Sequence, residues 1–577
     1  MSNAKHDNPV YAGIGSERRR RVLRLAGAAL AAGLLPSSAR ASGAAASALM
    51  ATAAASSIAT SPAASAAVTA AVAGGATGTP VRGGTVIGIA YPEPPTLATH
   101  LNGANPISLI TSKIYDRLFT DGNDGELVPR LALSAETSVD GLTVTIKLRQ
   151  GVRWHDGHPF AADDVKYSIE EIWPRSTANI SAVIEKVITP DPHTVQLRLK
   201  QRWPILFRYL GTNSGQILPH HLYAGKDLAT NPYNTKPVGT GPFVFKEWQR
   251  GSHIVLERNP NYYLAGQPYL DRIVWKVIND SASRAAALET GAAHFAVRNP
   301  VTFSDAARLK KLGKLSIDTS QYEPTSFWLE FNLRDPALGK VEVRQAIAHA
   351  VDRAALVKTV WGGYGAAMDG PVPSGVKEYY TRDLPKYPFD PARAEKLLDQ
   401  AGFPRKAGGW RFKLVHDFIP FGDDYRRTGE FVRQALRRIG IDASLGAKDL
   451  STWSRDVFTN HDFQVISSWG GWIRDPQASL EIRYGARGDR VGVPWSKASG
   501  YSNKEVDALL EQTRSGESPA QRVINYKRVQ QIVQADLPVL PLLEVQWFSV
   551  YDKRLRNVDE FPSQTRNNFA NVWLSKA

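Results

Sequence analysis

Apolar and polar positions change period along this chain, and the changes mark out strands and helices from residue 82 onward. Arg82–Ala90 reads as a short strand running into Tyr91-Pro-Glu-Pro-Pro95, where three prolines in four positions enforce an extended loop. Leu142–Arg149 alternates with period two, a half-buried strand, and Asp140-Gly141 before it signals a hairpin turn. Val195–Leu199 and Ile273–Ile278 predict further strands. Asp390-Pro391 caps and starts a helix through Ala394, Leu397 and Leu398 that stops at Gly402. Val343–Leu356 carries Ile347, Ala350 and Val351 at helical core spacing, and Tyr501–Asp507 opens another helix with a polar cap. Strands and helices mix without strict βαβ alternation, so an irregular α/β or α+β protein is expected.

With 577 residues, two or more domains are expected. The first 41 residues are set apart as a signal peptide. Arg18 to Arg21 and Arg24 precede an apolar run from Leu25 to Leu35, followed by Ala39-Arg40-Ala41 as cleavage site. That run is too short for a bilayer, which takes about 20 residues per crossing. Ser16 followed by Arg19-Arg20-x-Val22-Leu23-Arg24 resembles a twin-arginine signal, the alternative being a general secretory signal with a basic start. Residues 42–80 are mostly Ala, Ser, Thr, Gly and Val and read as a disordered leader. No later stretch offers 18 uninterrupted apolar residues, so a soluble mature chain is expected.

Cysteine is absent, which excludes disulfides, thiolate metal sites, cysteine nucleophiles and a lipobox anchor. A free, monomeric periplasmic protein is the simplest expectation. The formal charge is +15, of which seven Lys/Arg against Asp7 and Glu17 lie in residues 1–80, leaving about +10. Arg426-Arg427 and Arg433, Arg437 and Arg438 fall at helical spacing among apolar residues. They read as a solvated helix face, and no nucleic-acid partner is expected.

Trp469-Gly-Gly-Trp-Ile-Arg-Asp-Pro476 concentrates pocket chemistry: two indoles, exposed backbone at Gly470 and Gly471, and the charged pair Arg474 and Asp475. The competing reading is a Trp-rich strand end packed in a core. His155 and His158 in Trp154-His-Asp-Gly-His158 suggest a metal site, but the turn shows no acidic or third-histidine partner, so no metal is expected. Gly239-Thr-Gly241 is a turn and not a phosphate loop, because no Lys-Ser/Thr follows.

Four segments together resemble the solute-binding proteins of peptide/nickel-type ABC importers, extracytoplasmic solute-binding protein family 5. The first is Leu131-Ala-x-Ser-Ala-Glu136 through Asp140-Gly-Leu-Thr-Val-Thr-Ile-Lys-Leu-Arg-Gln-Gly-Val-Arg-Trp-His-Asp-Gly157 to Val165. The others are Pro237-Val-Gly-Thr-Gly-Pro-Phe243, Arg258-Asn-Pro-Asn-Tyr-Tyr263 and Val343-Arg-Gln-Ala-Ile-Ala-His-Ala-Val-Asp-Arg353, in matching order from about residue 82 to 575. The resemblance implies a two-lobed periplasmic binding protein fold, type II, of the peptide-binding cluster. Lobe I would span residues 81–325 with an inserted subdomain at about 111–235, lobe II 326–539, and residues 540–577 would return to lobe I. A peptide or other small solute would close the cleft, and the closed form would dock on a membrane permease. Where the family has a helix-capping Ser or Thr, this chain has Ala161, which typically costs about 1 kcal/mol. Asp163 and Asp164 offer compensation through the helix dipole.

In peptide-binding relatives the octet reads Trp-x-x-Asp-x-x-Asp/Glu-Pro, and its first Asp pairs with the peptide ammonium. Trp472 stands at that position here, and an indole cannot supply the countercharge, so the usual ligand is put in question. Trp453, Trp469 and Trp472 would instead offer faces for stacking or for caging a cation, and Arg474 a partner for a carboxylate. The resemblance also brings Tyr91, Glu93, Phe327, Trp328, Trp361 and Tyr364 near the cleft, each with a core alternative. No cofactor and no catalytic residue is expected: Gly-x-Ser-x-Gly and His-Glu-x-x-His are absent, and His220-His221 are adjacent, pointing apart if extended. A periplasmic hydrolase or chaperone-like protein on the same fold is the alternative.

Overall fold

The computed structural model describes residues 79–121, 127–176, 183–203, 206, 210–211, 215–319, 324–420, 422–472, 475–514, 518–558 and 567–576. The signal peptide, the leader and Arg474 lie outside them.

In chain order the strands are β1 (Thr85–Ala90), β2 (Phe119–Asp121), β3 (Leu127–Pro129), β4 (Ala132–Thr137), β5 (Thr143–Leu148), β6 (Ile184–Asp191) and β7 (Thr194–Leu199). There follow β8 (Phe243–Gln249), β9 (His253–Arg258), β10 (Arg272–Val277), β11 (Phe295–Ala296), β12 (Leu315–Asp318), β13 (Thr325–Phe331) and β14 (Gly365–Ala367). Last come β15 (Phe412–Phe418), β16 (Ile441–Gly446), β17 (Val465–Gly471), β18 (Val539–Val545), β19 (Ser549–Asp552), β20 (Leu555–Arg556) and β21 (Trp573–Leu574).

Two large sheets organise the molecule as two lobes. The first has the order β12-β19-β11-β1-β10-β9-β8, the second β14-β18-β13-β17-β15-β16. A four-stranded sheet, β4-β5-β7-β6, is inserted in the first lobe, and its apolar face shares one core with the first sheet. The chain passes between lobes twice, entering the second sheet at β13 and leaving it after β18. These two strands pair side by side, Thr325 opposite Val545.

The sequence periods translate directly into this arrangement. Asp140-Gly141 turns the β4–β5 hairpin, with Gly141 at φ +73°. Asp390 caps the helix Pro391–Gln400 by accepting the Arg393 N–H, and Gly402 follows it in the left-handed region. One expectation is corrected. Val343–Leu356 is not one helix but two, Val341–Ala350 and Arg353–Thr359. Asp352 accepts the Ala355 N–H at 2.9 Å and starts the second, which pulls Val351 into extended backbone.

At Ala161 the missing cap hydroxyl is offset by side-chain hydrogen bonding. Asp164, three residues into the helix Ala162–Tyr167, accepts the Ala161 N–H at 3.0 Å, the Trp154 indole N–H at 3.1 Å and the His220 N–H at 2.9 Å. Gly239 and Gly241 lie against the backbone of Ile114, where an added Cβ would collide with its carbonyl oxygen. Their role is close packing. Arg426, Arg427, Arg433 and Arg437 of the helix Asp423–Arg438 pair outward with Asp423, Glu430 and Asp442, a solvated face.

Candidate functional site

The seam between the lobes is built around Arg298, which follows β11 and precedes Pro300. Arg298 and Asn299 both have left-handed backbone, φ 60° and 51°. Neighbouring hydrogen bonds hold this corner in place. The Tyr91 hydroxyl donates to the carbonyls of Val297 (2.5 Å) and Arg298 (2.7 Å). The Asn299 N–H donates to the Phe548 carbonyl at 2.8 Å, and the Phe548 N–H returns to Asn299 Oδ1 at 3.0 Å. The Arg284 guanidinium lies 4.0 Å over the Tyr91 ring and donates to the carbonyls of Pro300, Ile278 and Asn279.

From this corner the half-buried Arg298 guanidinium stands 5.7 Å from the Trp469 ring and 5.6 Å from the Trp547 ring. The two indoles meet edge to face at 5.7 Å. Trp547 is fixed by donation from its indole N–H to Thr325 Oγ1 at 3.2 Å. Behind it Trp361, Phe327 and Tyr425 form an aromatic layer. Asp424 and Tyr425 open the helix Asp423–Arg438 of the second lobe and face Tyr91 and Arg298 of the first. Burial raises the Tyr91 and Tyr425 hydroxyls above their ordinary pKa, so both stay protonated as donors. Asp424 is pushed up to about 6, chiefly by burial and further by Asp423, against Arg427 and the Asn299 amide.

The raised Asp424 pKa carries a sign. Its contribution to stability is complete below the ordinary value of 3.8 and is lost as pH rises through about 6. Asp424→Asn keeps a neutral side chain at every pH and is expected to remove this pH dependence. Urea midpoints of wild type and variant should lie closest at about pH 4, where the carboxyl is neutral like the amide, and diverge above about pH 6, where the buried carboxylate makes the wild type the less stable. Parallel curves across that range would refute the shift.

Of the residues singled out in the sequence, the structure brings Trp469 and Tyr91 to Arg298, with Phe327 in the layer behind. Tyr364 stacks on Phe303 at 5.2 Å and meets Phe548 at 5.0 Å, on the first-lobe side of the return crossing. Gly471 pairs with Thr325 on β13. Trp453, Trp469 and Trp472 pack in different places. Trp469, inside β17, packs with one apolar cluster, and Trp472, the residue just past its end, packs with another. Trp453 is buried elsewhere, donating to the Asp417 carbonyl at 3.2 Å and packing on Phe458 and Trp495.

Trp472 does cage a cation, but an internal one. The Arg483 guanidinium lies 3.9 Å over Trp328 and 4.8 Å over Trp472. Burial lowers its pKa to about 10, opposed by Tyr484 and Glu330. Trp472 is 1 % exposed and its indole N–H donates to Ser326 Oγ at 2.7 Å. Gly470 is required here by close approach: a Cβ would stand 2.6 Å from Arg483 and 3.0 Å from Trp328. Asp475 accepts from Arg522 at 2.7 Å inside the core. Glu93 stays within the first lobe, accepting the Trp248 indole N–H at 2.9 Å and the Gly251 N–H at 3.1 Å.

Sequence reasoning missed Arg298, Asn299, Asp424 and Trp547. Two signals were available: a cation and an amide wedged between an apolar strand and Pro300, and the Trp547-Phe548 pair at a strand junction.

Two sheet-based lobes joined by two adjacent crossings, with aromatic and charged groups gathered at the seam, define a two-lobed solute-binding protein. The model of bacterial extracellular solute-binding proteins, family 5, matches residues 126–490, and the chain belongs to that family. It is the substrate-binding component of an ABC importer. It is 28% identical over 461 residues to the glutathione-binding protein GsiB of Escherichia coli O1:K1, covering 77% of this chain and 86% of that one. Among solved structures, the oligopeptide-binding protein AppA of Bacillus subtilis, in complex with a nonapeptide, superposes with a TM-score of 0.76 at 24% identity. That match covers 86% of this chain and all of AppA, 100%. AgaA of A. tumefaciens R10, in complex with agropinic acid, gives 0.73 at 27% identity, covering 86% and 99%. Among the described residues no helix is long and apolar enough to cross a membrane.

Proposed function

We propose that this chain captures a small solute carrying a carboxylate, a peptide-like or opine-like compound, at the Arg298 corner and hands it to an inner-membrane permease. The observation that carries this reading is the guanidinium flanked by Trp469 and Trp547 where the lobes meet. A guanidinium has five donors in a fixed fork, suited to a carboxylate, and the indole faces suit a flat or apolar ligand body. Asp424, on the opposite lobe, accepts a donor or ammonium group of the same ligand and draws the lobes together. No carboxylate is offered at position 472, where the indole is turned to Ser326 and Arg483. The ligand's positive end therefore belongs near Asp424.

In this proposal the first lobe, which carries the inserted sheet, ends where β13 begins, and the chain returns to it at β18. The protein acts as a monomer, without catalysis, exported through the twin-arginine route and free of a lipid anchor. The relatives named above bind glutathione, a nonapeptide and agropinic acid, all of which bear carboxylates, and this supports the class of ligand.

The test is a thermal-shift screen followed by calorimetric titration, using short peptides, glutathione, opines, nickel–histidine and neutral sugars. A ligand in excess raises the melting temperature by linkage. Carboxylate-bearing compounds should give the shift and neutral sugars none. Arg298→Ala should weaken the best ligand by about 30-fold or more, as expected when one partner of a sequestered charge pair is removed. A sugar that binds equally well to Arg298→Ala would overturn the assignment.

A further inference from the structure

The turn Trp154-His-Asp-Gly-His158 separates its two histidines by function. His155 points inward: its Nδ1 accepts the Gly239 N–H at 3.2 Å, and its Nε2 donates to the Gly241 carbonyl at 2.9 Å. Burial lowers its pKa to about 4, so it is a neutral fastener of the turn. Asp156 and His158 face the other way. Across from them stands His221, in the short helix His220–Tyr223. His220 turns aside to Tyr167, so the adjacent pair does point apart. The expectation that this turn lacks an acidic or third-histidine partner is overturned by the fold, which supplies a carboxylate from the turn itself and an imidazole from 63 residues downstream.

The three side chains converge. Asp156 Oδ2 is 2.7 Å from His221 Nε2, and Asp156 Oδ1 is 3.3 Å from His158 Nδ1. The imidazoles of His158 and His221 stack at 4.1 Å with 24° between planes. One ligand atom from each residue lies within 4.8 Å of the other two. Around a tetrahedral ion with metal–nitrogen and metal–oxygen bonds of about 2.0–2.2 Å, neighbouring ligand atoms stand roughly 3.3 Å apart. The His158–Asp156 separation stands at that value, the His221–Asp156 contact is a shorter hydrogen bond to the other carboxylate oxygen, and small rotations of the side chains open the second and bring in the third. A simple turn-locking hydrogen bond needs Asp156 and one imidazole, whereas here both imidazoles are gathered on one carboxylate. Side-chain exposures of 60%, 26% and 23% for His158, Asp156 and His221 leave an entry path and room for water ligands.

We propose that Asp156, His158 and His221 bind one divalent first-row transition ion. Two imidazoles select against magnesium and calcium, which take oxygen ligands, and suit zinc, nickel, cobalt or copper. The site lies on elements that contribute nothing to the Arg298 corner, and the ion staples the turn to the helix at His220–Tyr223.

The test uses the full chain without a polyhistidine tag, stripped with chelator and titrated calorimetrically with Zn²⁺, with Co²⁺ as an absorption probe. Wild type should take up one equivalent, with a rise in melting temperature that chelator reverses. His158→Ala is the decisive variant because its ring is largely exposed and its loss leaves the Asp156–His221 pair intact. It should keep the metal-free melting temperature yet bind Zn²⁺ at least about tenfold more weakly, since loss of even an outer-shell partner costs that much. His221→Ala should weaken binding as well, and Arg298→Ala should leave it unchanged. Wild type failing to bind one equivalent, or His158→Ala binding as tightly as wild type, would refute the site.

Discussion

Asp475→Ala is expected to lower the unfolding free energy by about 3–5 kcal/mol, the cost of leaving one member of a buried ion pair without its partner. Asp475 and Arg522 are 3% and 6% exposed at their side chains, with 2.7 Å between Oδ2 and the guanidinium nitrogen. The carboxylate also accepts the Gln477 N–H at 2.9 Å, and the hydroxyls of Tyr379 and Tyr526 approach to 3.4 Å. Burial by itself lowers the pKa of Arg522, yet its value is raised, because Asp475 and Tyr526 hold the charge in place. Removing the carboxylate exposes the guanidinium to the full desolvation cost. Urea denaturation reads the change from the midpoint at constant slope. The double variant Asp475→Ala with Arg522→Met should recover much of the loss, since an apolar pair leaves no orphan charge. A single-variant loss below about 1 kcal/mol would show that water reaches the pair.

Trp472→Ala is expected to be comparably severe, about 3–5 kcal/mol, by cavity formation in a fully enclosed site. The indole closes one side of the Arg483 cage, so its loss also removes a cation–π partner and leaves Ser326 without its donor. Trp469→Ala is the control: that ring is half-buried and its loss should cost much less stability while weakening solute binding. Comparable destabilisation by the two would mean that both indoles are core elements. The contrast separates the two sides of this segment by one measurement each.

The strands and caps were legible where short-range chemistry decides them. The hairpin at Asp140-Gly141 and the cap at Asp390 depend on residues within a few positions of each other, and the fold contains both. The break at Asp352 was hidden because apolar spacing continues through it, while a single carboxylate changes the hydrogen-bonding partner of Ala355. The octet was legible as important but not as to how. Its two indoles stand three residues apart, an odd number, and the extended backbone that runs through Gly471 turns them to opposite sides. What no local pattern contains is the third dimension. Arg298 meets Trp469 from 171 residues away, and His158 meets His221 across two separate segments. The Ala161 cap was recovered in kind, with Asp164 acting through a specific hydrogen bond as well as through its charge.

The placement of β19 has a consequence for how the molecule comes into being. This strand sits inside the first sheet, between β12 and β11, although it is made some 230 residues after β12. Beyond it, Asn568 reaches Asp116 at 2.9 Å and Tyr262 at 3.0 Å in the same lobe. A chain emerging from its N-terminal end therefore completes the second sheet first and leaves the first sheet parted until β19 arrives. Asn299 waits for Phe548 in the same way. The corner that holds Arg298 is finished only once Phe548 has been made, and a product terminated before it lacks that corner.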